Sequence, residues 1–319
     1  MDRRQIAIAQ ASSVLIASSF AGVLAKLALR DVPPFTFVWL QIAIGGGLLT
    51  LYTFGLRRER IPKGLGWEVW AYILWIGIGN FTIVRVLFML SLDRLPATTY
   101  VYLVNFVGIA TLLMSVFVLR ERPSGFQILG AALAIFGLRV FFREIPPPSE
   151  LSGLIYVAVG VLALASTNNV ARKLAIVTGN SLSNNVVSTV ALWIGGLPVV
   201  LFGLASDWPP AVSGWTNWGI IALNAVVAIA ISLTVWNFIL RTLRSYEASI
   251  LAGSTVIYTA LFAVPILGEH LASHEIAGIV LMLIGLALVQ VRRSLRRPKP
   301  SPPWPPSPEG RGGNPAGEG

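Results

Sequence analysis

The sequence predicts an all-α integral membrane protein with ten transmembrane helices, arranged as two inverted five-helix repeats. Three observations carry this prediction: an apolar composition, ten long apolar runs, and a motif that recurs 148 residues later in the chain. Of the 319 residues, 55% are hydrophobic and only 12% are charged, whereas a soluble domain carries about 25% charged residues. Because so few charged side chains are available to face water, we expect the lipid bilayer to surround the chain.

Apolar runs long enough to cross a bilayer follow one another along the chain. About 20 residues span a hydrocarbon core of roughly 30 Å, because an α-helix rises about 1.5 Å per residue. The predicted spans are residues 5–29, 34–56, 67–91, 96–119, 124–142, 150–172, 181–204, 215–239, 247–267 and 275–292. The first run is too long for a signal peptide, and its removal would destroy the symmetry of the two halves.

The internal repeat is clearest in residues 91–142, where two apolar runs flank a polar elbow. Glu121 in this elbow and Gly137 beyond it are echoed by Glu269 and Gly285, each 148 residues later. Because each half holds an odd number of spans, the second half must be inverted relative to the first. Inverted repeats are typical of secondary transporters, whose substrate site lies near the bilayer midplane between the repeats.

Charge and composition predict the domain organisation and the orientation. The division is a first repeat over 1–145, a second over 146–293, and a Pro/Gly-rich tail over 294–319, which we expect to be disordered. With the N-terminus in the cytosol, the cytosolic segments hold eighteen Lys and Arg and the outer segments three, as the positive-inside rule requires. We therefore expect both termini and the tail in the cytosol and the chain in a bacterial inner (cytoplasmic) membrane. The net charge of +10 is a signal of this topology, and we predict no nucleic-acid partner.

These features resemble the drug/metabolite transporter superfamily, and in particular its EamA-type members. The residues that carry the resemblance are Leu92 to Gly137, Leu240 to Gly285, and Lys26 near the end of the first helix. The resemblance implies a carrier that exports or exchanges small organic metabolites, with amino acids among them. The chain departs from the family pattern at Gly108 and Val256, where proline is usual, so we expect no helix break there.

Nine polar or aromatic side chains from both halves are predicted near the midplane. Small-molecule sites combine apolar and aromatic walls with a few polar groups, so we expect these side chains to line one substrate cavity. The alternative for each is a hydrogen bond between helices. The nine are Ser19, Asn80, Tyr102, Asn105, Tyr156, Asn168, Trp236, Asn237 and Tyr258.

Two cations enter the apolar runs. Lys26 lies near the end of the first run, where its long side chain can reach the membrane interface. Arg85 lies deeper in the third run, and a charge inside the membrane is by default a functional hypothesis. It is predicted either to bind a substrate carboxylate or to pair with Asp93. In the second run, Gln41 stands where the family commonly has an arginine.

The acidic residues fall in loops, tails or helix ends, and none lies in the middle of a predicted span. Proton-coupled carriers commonly use buried acidic or histidine side chains, so this pattern favours facilitated diffusion or exchange. Glu121 and Glu269 are candidates for gating or coupling carboxylates. The favoured interpretation is that they stabilise the helix junctions, each near the positive N-terminal end of the next helix. Ser124 and Gln127 fit a capping box for the fifth helix.

Two other classes of protein, an intramembrane enzyme and a membrane receptor or scaffold, are compared with the residues that the chain offers. An intramembrane enzyme needs a nucleophile, a base or a metal, but the chain has no cysteine and no mid-membrane carboxylate. His270 and His274 lie in a loop without the HExxH pattern, so we predict no enzyme, no metal site and no cofactor. A membrane receptor or scaffold that keeps the same fold stays as the alternative.

Glycines predict close contact between helices. Gly130 and Gly137 are two turns apart on one face of a helix, and so are Gly278 and Gly285. Small residues let helix backbones approach each other in a membrane. The pattern predicts packing in the core of the bundle. The more specific alternatives are symmetry-related packing of the two terminal helices and the face of a homodimer.

Overall fold

The computed structural model describes residues 3–118, 123–143, 146–179, 181–232 and 251–295, and within these ranges the secondary structure is helical, with no strand. Six helices are long and apolar enough to cross a membrane, and four shorter apolar helices accompany them among the described residues. The predicted fold class is confirmed: the chain is an all-α integral membrane protein of ten helices in two inverted repeats.

The described helices follow the predicted runs to within a few residues, whereas the predicted end of the eighth run (239) and start of the ninth (247) lie outside the described residues. They are α1 (Arg3–Ala28), α2 (Pro34–Thr50, continued by a π-helix over Leu51–Leu56), α3 (Trp67–Gly77, a π-helix over Ile78–Val84, then Arg85–Arg94), α4 (Ala97–Val104 and Val107–Val118), α5 (Gly125–Phe141), α6 (Pro148–Val177), α7 (Asn184–Ser206), α8 (Gly214–Ala225, then a π-helix over Val226–Ile231), α9 (Leu251–Leu267) and α10 (Ser273–Leu295). We call the end of the bundle with loops 57–66 and 178–183 the basic end. The end with loops 29–33, 207–213 and 268–272 is the acidic end.

Helices α2 and α7 are joined at both ends by carboxylates that the repeat relates. At the acidic end, Asp207 accepts hydrogen bonds from the Thr36 hydroxyl (2.6 Å) and the Trp39 indole N–H (2.8 Å). At the basic end, Glu59 accepts one from the Asn185 amide (2.9 Å). Glu59 and Asp207 are 148 residues apart, so each repeat supplies the acid that binds the first turn of the other repeat's helix.

Helices α5 and α10 pack through the four glycines that the sequence singled out. A Cβ added at Gly130 would lie 2.5 Å from the carbonyl oxygen of Gly285, and one added at Gly137 would lie 2.9 Å from that of Gly278. At such distances only glycine fits, because the obstacle is backbone. The prediction of symmetry-related packing is confirmed. These glycines contact each other across α5 and α10 within one chain, so they do not form the face of a homodimer.

Two helices are interrupted at positions that the repeat relates. Helix α4 breaks at residues 105–106, and α9 breaks at Ser254. Gly108 and Val256 themselves lie inside the helical segments that begin at Val107 and Thr255, so no break occurs at these two positions. The interruptions come just before them, and their cause is side-chain competition rather than proline. The Asn105 amide donates to the Val101 carbonyl (2.8 Å) and the Ser254 hydroxyl to the Leu251 carbonyl (2.6 Å). Such local bonds compete with the helical ladder and bend helices.

The start of α5 forms as predicted. The Ser124 backbone N–H donates to Gln127 Oε1 (2.8 Å), and the Gln127 N–H donates to Ser124 Oγ (3.4 Å). This reciprocal pair satisfies two of the helix's otherwise free N–H groups. The capping box is confirmed, whereas Glu121 lies outside the described residues.

Candidate functional site

A central cavity of about 370 Å³ lies between the two repeats. Helices α1 to α4 of the first repeat and α6, α8 and α9 of the second line it, so both halves contribute to its wall. Apolar side chains form most of the surface, with polar groups spaced around it. The polar lining residues are Ser18, Ser19, Gln41, Asn80, Arg85, Tyr100, Asn224, Thr255 and Thr259.

A second cavity of about 250 Å³ lies toward the basic end, between α3, α6 and α7. We call it the basic-end cavity. Its polar lining consists of uncharged side chains, among them Thr167, Asn168, Asn184 and Ser188. Asn80 lines both cavities. This side chain, on the π-helical stretch of α3, therefore lies between the two cavities.

Arg85 projects into the central cavity from the turn that follows the π-helix of α3. Its Nη2 donates to the carbonyl of Ala228, which belongs to the π-helix of α8 (3.2 Å). Arg85 does not pair with Asp93, which was the alternative prediction. The two π-helical stretches begin 148 residues apart, and π-helical turns occur frequently at functional sites. The Arg85 bond thus joins the two repeats at their symmetry-related irregular turns.

Ser19 and Asn105 meet at the interrupted start of α9. The Ser19 hydroxyl donates to the Thr255 carbonyl (3.3 Å), and the Asn105 amide donates to the Thr255 hydroxyl (3.5 Å). Ser19 and Thr255 line the central cavity, whereas Asn105 lies behind Thr255. The structure therefore brings Ser19, Asn80 and Arg85 together in the cavity and places Asn105 in its support.

The three predicted tyrosines lie elsewhere. Tyr102 is fully buried and stacks on Phe141 of α5, with ring centroids 4.0 Å apart. Tyr156 lies beneath the Arg94 guanidinium, 5.5 Å from its ring centroid, near the acidic end. Tyr258 is half-buried on α9 and lines neither of the two cavities. These rings belong to helix packing or to the protein surface.

The remaining predicted site residues are two asparagines and one tryptophan. Asn168 lines the basic-end cavity and not the central one. Trp236 and Asn237 lie outside the described residues. Next to Asn168, the buried Asn169 amide donates to the carbonyls of Thr111 and Ala165, which is the interhelical role that was the alternative for every predicted site residue.

Several residues line the cavity although the sequence analysis did not predict them as site residues. They are chiefly Gln41, Tyr100, Asn224, Thr255 and Thr259. The available signals were a glutamine and an asparagine inside apolar runs, and two threonines one turn apart. In the described part of the chain, Gln41 Oε1 and Thr259 Oγ1 are buried without a hydrogen-bond partner. A buried polar atom without a partner costs about 1–3 kcal/mol, so a water or a ligand group that forms a hydrogen bond with either atom is favoured.

The acidic end carries a contact between the repeats that involves one of the elbow glutamates. The Glu269 carboxylate accepts hydrogen bonds from the backbone N–H groups of Ala97 (2.5 Å) and Thr98 (3.1 Å) and from the Thr98 hydroxyl (2.8 Å). We call this contact the Glu269 cap. Beside it, Lys26 Nζ donates to the Asp93 carbonyl (2.7 Å). The predicted partner of Glu269 was wrong, because the carboxylate caps α4 of the other repeat rather than the next helix, α10.

An integral membrane protein with two inverted repeats around a central cavity has the architecture of a membrane transporter. The sequence model of the EamA-like transporter family matches residues 5–143 and 151–291, once for each repeat. The chain belongs to this family, which lies within the drug/metabolite transporter superfamily. It is thus a membrane transporter and not an enzyme.

Relatives in several organisms are similar over most of their length. A protein of Synechocystis sp. named as an uncharacterized transporter is 26% identical over 299 residues, covering 86% of this chain and 87% of that protein. A probable amino-acid metabolite efflux pump of Salmonella typhimurium is 23% identical over 292 residues, covering 86% and 92%. A solved crystal structure with 17% identity covers 90% of this chain and 98% of its own, with a TM-score of 0.65, which supports the fold alone.

Proposed function

We propose that this protein is a secondary transporter that moves small organic metabolites, amino acids among them, by alternating access. The observation that carries the proposal is the central cavity, which lies between the repeats and takes its polar lining from both. A cavity of about 370 Å³ falls within the usual range for small-molecule sites, about 300–1,000 Å³. The probable amino-acid metabolite efflux pump among the relatives supports amino acids as candidate substrates.

Alternating access requires one part of the molecule to move against the other. In our proposal the moving units are the two repeats, 1–145 and 146–293, and the site is exposed to each membrane face in turn. The Glu269 cap closes the acidic end, and Asn80 lies on the route from the central cavity toward the basic end. The contacts of α2 with α7 and of α5 with α10 stay intact and form the axis of the movement.

The proposed orientation places the basic end in the cytosol and the acidic end outside, in a bacterial inner membrane with both termini cytosolic. Among the described residues that line the central cavity there is no Asp or Glu. None of these described lining residues could therefore carry protons as a carboxylate, which favours a facilitator or an exchanger over a proton-coupled carrier. Either kind of carrier can work as an exporter.

The alternative class, a receptor or scaffold with this fold, predicts a centre filled by large side chains. The open central cavity favours the transporter instead. It also supplies a direct test, because Gly22 lines this cavity with nothing within 4 Å of where its Cβ would lie. Gly22→Trp would fill the cavity without a clash at the backbone.

The experiment is counterflow in proteoliposomes, with panels of labelled amino acids, nucleosides and organic cations. We expect uptake of at least one class by the wild-type chain and its loss in Gly22→Trp. The matched control is Gly47→Trp, since Gly47 also has nothing within 4 Å of an added Cβ but lies exposed on α2, away from the cavity. Flux of no compound, or flux that survives Gly22→Trp unchanged, would overturn the proposal.

A further inference from the structure

We propose that the central cavity selects small monocarboxylates and that Arg85 is the residue that binds the carboxylate. This inference rests on the proposed function and narrows it, because it favours monocarboxylates without an ammonium group over zwitterionic amino acids as the substrate class of the same cavity. Three features of the cavity support it: the charge of its lining, the hydrogen-bonding capacity of Arg85, and the shape of the wall beside Arg85.

Arg85 is the only charged side chain among the described residues that line the central cavity. A cation in a site surrounded by apolar helices is costly unless an opposite charge compensates it. No carboxylate of the described chain does so, since the hydrogen bond of Arg85 goes to the Ala228 carbonyl. Within the described residues the cavity lining therefore holds one positive charge without a counter-charge, and a ligand with one negative charge would neutralise it.

Among the described residues, most of the donors of the guanidinium have no acceptor and could bind a ligand. An arginine side chain offers five N–H donors in a planar fork, and within the described residues only Nη2 of Arg85 donates, at 3.2 Å to Ala228. A carboxylate matches this fork with two parallel hydrogen bonds, which are short and strong because both partners are charged. The Ala228 bond holds the guanidinium at the boundary between the two repeats.

The wall beside Arg85 suits an apolar or aromatic body attached to the carboxylate. Phe88 lies one turn after Arg85 on α3, and its ring meets that of Tyr100 edge to face, with centroids 5.8 Å apart. Both rings line the central cavity together with Met89 and Val101. The remaining polar groups are uncharged, so an amine or a second carboxylate on the ligand finds no counter-charge among the described lining residues.

The test uses four ligands that share a phenyl ring and differ in charge: 3-phenylpropanoate, 3-phenylpropanamide, 3-phenylpropylamine and the dianion benzylmalonate. Binding is measured by thermal shift and by titration on the full chain in nanodiscs, and flux is measured in proteoliposomes. We expect 3-phenylpropanoate to bind and be transported in preference to the other three. Arg85→Gln should weaken its binding by roughly ten- to a hundredfold, since a hydrogen bond to a charged group is lost.

Two variants keep the result interpretable. Arg85→Lys retains the charge but not the fork, and we expect it to keep part of the preference for the acid even if Arg85→Gln folds poorly. Arg139→Gln removes an exposed arginine at the acidic end, which donates to the carbonyls of Phe142 and Arg143, and should change nothing.

Three outcomes decide between the proposals. Preference for the acid that depends on Arg85 supports the inference. Equal binding or flux of the amide or the amine, insensitive to Arg85→Gln, overturns the inference and leaves the proposed transport function standing. Absence of binding and flux for these four ligands and for the amino-acid, nucleoside and cation panels overturns both.

Discussion

The carboxylate of Glu269 accepts hydrogen bonds from both the backbone N–H (3.1 Å) and the hydroxyl (2.8 Å) of Thr98, 171 residues away in the other repeat. The bonds reach the first turn of α4, where the free N–H groups and the helix dipole favour a negative charge. Ala97, which donates to the same carboxylate, also lines the central cavity. The contact therefore connects the acidic end of the bundle to the wall of the candidate site.

We predict that Glu269→Ala opens the acidic end. Loss of a helix N-cap costs about 1 kcal/mol, and 1–2 kcal/mol changes an equilibrium roughly 5–30-fold. Because the chain has no cysteine, Val101→Cys provides a single reporter inside the cavity. Its reaction with a membrane-impermeant maleimide should become at least about fivefold faster in the variant.

The control for this measurement is Glu275→Ala. Glu275 also accepts a backbone hydrogen bond at the acidic end, but from Ala272 within its own loop (2.7 Å). Its removal should leave the labelling rate of the reporter unchanged. If both variants accelerate labelling equally, the effect is general loosening of the acidic end, and the role of the Glu269 cap is wrong.

Cross-links should distinguish the contacts that open during transport from those that remain closed. We predict that Thr98→Cys with Glu269→Cys, joined by a short bifunctional thiol reagent, blocks counterflow because the Glu269 cap must open. Thr36→Cys with Asp207→Cys replaces a hydrogen-bonded pair of similar length (2.6 Å) at the same end. Cross-linking this second pair should leave counterflow largely intact, because α2 and α7 stay together. Block by both cross-links, or by neither, contradicts the proposed axis.

The glycine contact between α5 and α10 should tolerate no side chain. In Gly130→Ala the new methyl group would meet the Gly285 carbonyl and the Val289 backbone nitrogen, and such overpacking costs about 1–3 kcal/mol. We expect a lower melting temperature of the purified protein. Gly219→Ala, within α8, is the control, because nothing lies within 4 Å of its added Cβ. Equal melting temperatures for the two variants would show that the helices separate at little cost.

The proposed orientation predicts which loops are reached from outside the cell. Lys63→Cys lies in an exposed loop of the basic end, and His270→Cys in an exposed loop of the acidic end. In intact cells an impermeant maleimide should label His270→Cys at once and Lys63→Cys only after the membrane is permeabilised. The reverse pattern would place the basic end outside and would also reverse the assignment of the Glu269 cap to the outer face.

The sequence by itself determined the helices, the repeat and the family. Apolar length fixes a transmembrane helix because the bilayer has a set thickness, and this property is local in the chain. A constant offset of 148 residues shows the repeat wherever the two copies keep the same spacing, as with Glu121 and Glu269. The packing role of the glycines in α5 and α10 could also be predicted from the sequence, because close approach of two helix backbones needs small residues at helical spacing.

Only the tertiary structure decided which polar side chains share the cavity. Tyr100 lines it while Tyr102, two residues later on the same helix, stacks on Phe141, because successive side chains turn by about 100° around a helix of 3.6 residues per turn. In a helix that is apolar on every side, the sequence carries no polar face from which to read that rotation. The partners of Arg85 and Glu269 come from the opposite repeat, and their positions depend on how the two repeats pack together.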